Sequence, residues 1–273
     1  MSKYLIFTVI LLFQISCVKA EPDKNADSPD LLTPVPEILN APVQKIPDSV
    51  ALALTAAEIP ENIAGTIRSS GTFVQDLATV LTGDPSLRTL VDKGHSLPDG
   101  YEPADLVELR NGVYQVGRAG LLLRMPAERA FAEMAAAARA EGVTLIASST
   151  YRSYEYQVEV YARNVRISGQ VQADRESARP GRSQHQTGLV IDFGSITDAF
   201  AETRAGKWIE ANASRFGWSI SFPDGYEAVT GYRWESWHYR YVGTDLTHFI
   251  DTYFAGIQHY ALRFLYEWEA ISI

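Results

Sequence analysis

A single cysteine among 273 residues is the first scarcity in this sequence. It excludes an intrachain disulfide and any Cys-rich zinc module, so a metal site has to be built from histidines and carboxylates. Basic residues are also few: 24 Lys+Arg stand against 33 Asp+Glu, a formal charge of -9. Phosphate-backbone binding needs a basic footprint, so nucleic acid is excluded as a partner. Long apolar runs are missing after the first twenty residues, and no later segment suits a bilayer crossing. Residues 21–48 lack aromatic side chains and hold six of the thirteen prolines. What the chain does have is 46% hydrophobic and 11% aromatic residues, enough to core one large domain or two small ones.

The N-terminus reads Met1-Ser2-Lys3, then an apolar run from Tyr4 to Phe13, then small residues. That is the pattern of an export signal, too short to span a bilayer comfortably. Two cuts fit it. Val18-Lys19-Ala20 presents small residues to an ordinary signal peptidase, removing residues 1–20. Alternatively, Cys17 ends the apolar run and resembles the lipid attachment site of a bacterial lipoprotein, with Gln14 departing from the aliphatic residue usual there. Either cut exports the protein to the bacterial cell envelope, secreted or lipid-anchored, and a membrane is a partner only through that lipid. Residues 21–48 then read as a Pro-rich disordered tether, reaching on the order of 80 Å if extended like polyproline.

Residues 49–86 read as a helical extension of one or two short helices punctuated by Gly65, Gly71 and Gly83. Leu87 to Val91 reads as a strand. Pro126 to Glu141 carries eight alanines between an initiating proline and Gly142, the punctuation of a helix. A buried strand is expected over Val143 to Ser148 and a helix over Tyr154 to Ser168, ending at Gly169. Strands follow over Leu189 to Phe193 and Gly231 to Tyr241, with a helix near Thr203 to Phe216 between them. The aromatic tail, 244–273, reads as a helix or two packed on the domain. Elements mix without regular βαβ repetition, so the expected class is α+β, with helices on a small mixed, mainly antiparallel sheet.

Five histidines can each be weighed. His95 lies in a Gly- and Pro-flanked loop and is expected to be solvated. His248 and His259, placed in one helix, would be roughly 16 Å apart along its axis, too far to share a metal, and read as structural. His185 and His238 differ in their neighbours. His185 follows a turn, and Asp192 sits seven residues on inside an apolar strand, where an unpaired carboxylate is costly. Glu235 and His238 lie three apart in Trp234-Glu235-Ser236-Trp237-His238-Tyr239. Residues three apart on a regular strand face opposite sides, so both serve one site only if the strand ends or bulges there. His185, Asp192 and His238 make a His₂Asp set with an open fourth position, the pattern of catalytic zinc, one ion per chain. Glu235 remains as the base.

These residues carry a resemblance. Ser183-x-His185-x-x-Gly188-x-Val190-x-Asp192 followed by Glu235-x-Trp237-His238 resembles the signature of the VanY-type D-alanyl-D-alanine carboxypeptidases, in the zinc peptidase group that includes lysostaphin and the hedgehog domain. Ser149-Thr150-Tyr151-Arg152-Ser153 with Gln157, Thr230-Gly231-Tyr232 and the run from His238 to Gly243 extend the likeness over residues 87–243, the expected catalytic domain. Val190, Thr150 and Ser236 stand where relatives have alanine, glycine and proline. Ser221 stands near where they tend to carry an arginine.

The resemblance implies a hedgehog/D-Ala-D-Ala-peptidase-like fold and a zinc metallopeptidase that removes the terminal D-Ala from peptidoglycan stem peptides. His185, Asp192 and His238 would hold the ion, Glu235 would move protons, and Arg152 would steady the oxyanion. Ser183 and Gln157 would line the pocket for the terminal carboxylate, with Trp237 as its wall. An L,D-carboxypeptidase or a peptidoglycan endopeptidase would use the same zinc site, because stereochemistry is read by pocket shape. A non-catalytic wall-binding lipoprotein would be expected to lose a ligand or the base, yet all four are present.

Overall fold

The computed structural model describes residues 46–272. The expected export signal, Cys17 and nearly all of the segment expected as a Pro-rich tether lie outside the described residues. The tether's last residue is already helical: Pro47 is the N-cap of α1 (Asp48–Ala56).

Three helices occupy the N-terminal extension, one more than the punctuation suggested: α1, α2 (Glu61–Ser69) and α3 (Phe73–Thr82). Glu58 at positive φ, followed by Pro60, separates the first two. The tail forms α8 (Thr244–Tyr253) and α9 (Gln258–Ser272). His248 and His259 therefore belong to different helices, parted where Ala255 and Gly256 take positive φ. These five helices share one apolar core. Val50, Ile67, Phe73 and Leu77 from the N-terminal side bury against Phe249, Ile250, Phe254 and Phe264 from the tail. Phe73 alone meets the rings of Phe249, Tyr253 and Phe264 at 4.9 to 5.6 Å.

The second core lies beneath the sheet. Strands β1 (Leu106–Glu108) and β3 (Leu122–Arg124) pair as a ribbon. The main sheet contains β2 (Gln115–Val116), β4 (Ile146–Ser149), β5 (Val190–Phe193), β6 (Trp218–Ile220) and β7 (His238–Tyr241), in the order β2-β4-β5-β7-β6. Only β2–β4 is parallel; the other pairs are antiparallel. Helix α4 (Met125–Ala140) buries Ala127, Ala130, Phe131, Met134, Ala135 and Ala138, a helical stripe. Its alanines let the helix approach closely, and Phe131 stacks on Tyr114 and meets Phe193 edge-on. Helix α5 (Tyr154–Glu176) follows β4, α6 (Arg204–Asn212) packs Trp208 and Ile209 into this core, and α7 (Glu227–Thr230) is a single turn.

Some expected boundaries move for visible reasons. Leu87 to Val91 forms no strand: Pro85–Arg88 is a 3-10 turn capped by Asp84, whose side chain accepts from Ser86 N–H. The carbonyls of Leu87 and Thr89 accept from the buried Arg240 guanidinium at 3.1 and 2.8 Å, so a side chain takes the place of a strand neighbour. Strand β4 starts at Ile146 because the Val143 N–H still bonds back to Ala138 across the turn at Gly142. Gly169, at φ 79 and ψ 164, breaks α5 as expected, and helix resumes to Glu176. Gly231 to Trp237 is loop rather than strand, leaving β7 only four residues. His95 is not free in solvent: its Nδ1 lies 2.8 Å from Asp92 Oδ1 and its ring meets Tyr266. Among the described residues, no helix is long and apolar enough to cross a membrane.

Candidate active site

Pleat alternation builds the centre of the site. On β5, Ile191 and Phe193 point into the lower core, which turns Asp192 to the opposite face. Asp192 pairs in register with His238 on β7 and with Ser149 on β4. His185 arrives from a 3-10 turn, Gln184–Thr187, closed by Gly188 at φ 68. A Cβ at Gly188 would come within 2.9 Å of Arg124 and 3.0 Å of Leu106, so only glycine lets the chain enter β5 there.

Three side chains converge: His185 Nε2 is 3.2 Å from Asp192 Oδ2, and His238 Nδ1 is 3.1 Å from Asp192 Oδ1. Ligand atoms of all three, each buried, lie within 4.8 Å of one another. The hydrogen bonds on the far side of each ring decide what these atoms present. His185 Nδ1 lies 2.7 Å from the Thr150 carbonyl, which can only accept, so Nδ1 carries the proton and Nε2 a lone pair. His238 Nε2 lies 3.3 Å from Gln184 Oε1, which leaves the His238 Nδ1 lone pair facing Asp192. Lone pairs and carboxylate oxygens thus face one another in a buried pocket, and His185 Nε2 and Asp192 Oδ1 have no hydrogen-bond donor among the described residues. A cation removes that conflict. Two imidazole nitrogens and a carboxylate are a donor set suited to zinc with an open position.

Burial, reinforced by the nearby Arg152 charge, pushes His185 down to about 4, so its ring is neutral near pH 7. Burial opposes the charge of Asp192, while the two imidazoles, wherever they carry a proton toward it, hold the carboxyl well below its usual range. Glu235 stands beside this group, with Oε2 3.4 Å from His238 Nδ1. Burial first, then the Asp192 charge, raises its carboxyl well above 4.5, while Arg152 and Arg233 pull the other way. Burial that tightens a carboxyl's hold on a proton, beside a ligand set, suits a group that takes up and returns protons.

These residues line a cleft of about 790 Å³ together with Arg152, Ser183 and Trp237. Arg152 follows β4, and its Nη1 donates to Gln157 Oε1 at 3.0 Å, while its Nε is buried without a partner among the described residues. Gln157 stands behind Arg152, wholly buried, rather than on the cleft wall expected for it. Its Nε2 donates to the Ala178 carbonyl at 2.6 Å, so both ends of the amide are engaged. Trp237 lies against the lower core, with the Arg233 guanidinium 5.9 Å from its ring centre.

The residue pattern did not disclose the Thr150 carbonyl, Gln184, or the arginines 118, 163 and 182 that also line the cleft. A backbone carbonyl leaves no trace in a sequence. Gln184 had one signal, its place beside His185.

The sequence profile of the VanY D-alanyl-D-alanine carboxypeptidases matches residues 120–244. The putative carboxypeptidase YodJ of Bacillus subtilis is 37% identical over 166 residues, 58% of this chain and 60% of that protein. The match thus spans less than two thirds of that relative's length. The solved structure of the LdcB LD-carboxypeptidase is 34% identical, with a TM-score of 0.57, covering 63% of this chain and 88% of that one. A VanY D,D-pentapeptidase mutant from a VanB-type resistance cassette, solved in complex with Zn(II), is 29% identical with a TM-score of 0.52, covering 63% and 96% of the two chains. On its profile match, its sequence identity and its shared fold, the chain belongs to the VanY D-alanyl-D-alanine carboxypeptidase family.

Proposed function

We propose that this protein is a zinc-dependent D-alanyl-D-alanine carboxypeptidase that removes the terminal D-Ala from peptidoglycan stem peptides. The carrying observation is the convergence of His185 Nε2, Asp192 and His238 Nδ1, both nitrogens stripped of protons by hydrogen bonds behind them. Those three atoms would hold the ion, which when bound acidifies water and polarises a carbonyl. Glu235 takes the proton of the attacking water and returns it to the leaving amine, a role suited by its place 3.4 Å from the His238 ligand nitrogen. Arg152, permanently charged and braced by Gln157, donates to the oxyanion that develops on the scissile carbonyl. Ser183 meets the substrate's terminal carboxylate and Trp237 walls the pocket. The zinc-bound VanY structure and the family profile support the same chemistry.

Export to the cell envelope goes with this substrate, by cleavage after Ala20 or by lipid attachment at Cys17, and the Pro-rich segment then serves as tether.

The likeness to LdcB favours a second reading, an L,D-carboxypeptidase acting on tetrapeptide stems. Incubation of the zinc-loaded protein with purified penta- and tetrapeptide stems, followed by mass analysis, separates the two. Loss of one alanine from pentapeptide alone is expected. Loss from tetrapeptide alone overturns the D,D reading and keeps the L,D one.

A further inference from the structure

Ser221 stands just past β6 with its side chain buried, behind the residues that line the cleft. Its Oγ lies 2.7 Å from Gln184 Oε1 and 3.3 Å from Gln258 Oε1. The Gln258 amide is pinned from the other side, its Nε2 donating to the Ser219 carbonyl at 3.1 Å, so an oxygen faces the serine. Gln184 Oε1 in turn lies 3.3 Å from His238 Nε2. Gln184, Ser221, His238 and Gln258 are all buried, so no bulk water substitutes for a missing partner.

Two proton arrangements satisfy this chain. In one, Ser221 O–H donates to Gln184 Oε1, which also accepts from His238 Nε2–H, and the lone pair of His238 is at Nδ1. In the other, the Gln184 amide is flipped. Its NH₂ then donates to Ser221 and to His238 Nε2, Ser221 donates to Gln258, and the ring proton moves to Nδ1. Only the first leaves Nδ1 free to face Asp192 as a ligand atom. The distances favour it, because the serine hydroxyl is 0.6 Å closer to the Gln184 oxygen than to that of Gln258.

We infer that Ser221 is a positioning residue: by donating to Gln184 it fixes the amide orientation that keeps His238 in its Nε2–H, metal-ready form. Gln258, from the terminal helix α9, offers the competing acceptor. This inference rests on the reading of His238 as a metal ligand, and its tautomer can be measured without metal.

The test is ¹⁵N NMR of the histidine rings in metal-free full-length protein, paired with zinc titration of wild type and variants. Wild type is expected to show His238 protonated at Nε2. Ser221→Ala is expected to shift the ring toward Nδ1–H and to weaken zinc binding by about tenfold, the lower end of the usual effect for an outer-shell partner. Adding Gln184→Glu to Ser221→Ala should restore the Nε2–H form, since a carboxylate can only accept. Gln258→Leu perturbs the same buried chain but should leave the tautomer as in wild type. An unchanged tautomer and zinc affinity in Ser221→Ala overturn the inference while leaving the metal reading intact. Wild type that binds no zinc, yet shows the Nε2–H form shifted by Ser221→Ala, supports the relay and overturns the metal reading.

Discussion

The amide N–H of His238 donates to the carbonyl of Glu235 at 3.1 Å, and the turn so closed brings Glu235 Oε2 within 3.4 Å of His238 Nδ1. Strand β7 begins only at His238. Two residues three apart therefore serve one site, because the chain between them is a turn. The Glu235 N–H is itself held by the Phe222 carbonyl at 3.0 Å, which ties the turn to the segment after β6. A carboxyl fixed next to a metal-ligand set, without being needed as a ligand, is the arrangement a general base requires.

Glu235→Gln preserves the shape of that turn and removes the titrating group. Its kcat should fall by about 10²- to 10⁴-fold, the usual worth of a positioned acid–base group. Zinc content, measured on the same preparation, should stay at one equivalent.

The same substitution has an opposite effect on stability in the metal-free protein. Glu235 is raised well above 4.5 by burial and by the Asp192 charge. Above 4.5 the folded state therefore holds a proton that the unfolded chain has released, and stability falls as pH rises. Metal-free Glu235→Gln should therefore melt above metal-free wild type at pH 7, with the gap closing toward pH 4. His185, pushed from 6.5 down to about 4, has the reverse sign. Its contribution is present above pH 6.5 and is lost as pH falls toward 4. Thermal melts across pH 4 to 8 check both signs; equal melting at pH 7 would contradict the burial of Glu235.

Chelation should abolish turnover and lower the melting temperature, and zinc should restore both. A ligand that binds only the folded state adds about 2.7 kcal/mol at a hundred times its Kd. Asp192→Asn, which places an amide between two imidazoles, should leave under half an equivalent of zinc by metal analysis and remove that zinc-dependent gain in melting temperature.

Arg152→Lys keeps the charge and loses the planar fork that Gln157 braces at 3.0 Å. A drop of roughly 10²-fold in kcat with little change in KM is expected if Arg152 acts on the oxyanion. Steady-state kinetics separates this from a binding role, in which KM would rise alone.

The metal set was legible because its cost was legible: an aspartate between Ile191 and Phe193 needs a partner, and histidines of suitable spacing were few. Helix α4 was legible from Pro126, its alanines and Gly142. Other features depend on contacts the residue types do not announce. The shared core of the two chain ends is one of them. Apolar faces on α1 and α9 say that each is covered, but not that they cover one another across some two hundred residues of chain. The 87–91 segment has the apolar pattern of a strand, and only the distant Arg240 decides otherwise. Gln157 was expected on the cleft wall; its two amide ends are taken up by Arg152 and Ala178, which no local pattern reveals.

The most direct measurement is the free D-alanine released from a purified pentapeptide stem by the zinc-loaded protein. One D-alanine per pentapeptide is expected, with none from chelated protein or from Glu235→Gln that retains its zinc. An intact pentapeptide in the presence of protein carrying one equivalent of zinc would contradict the account.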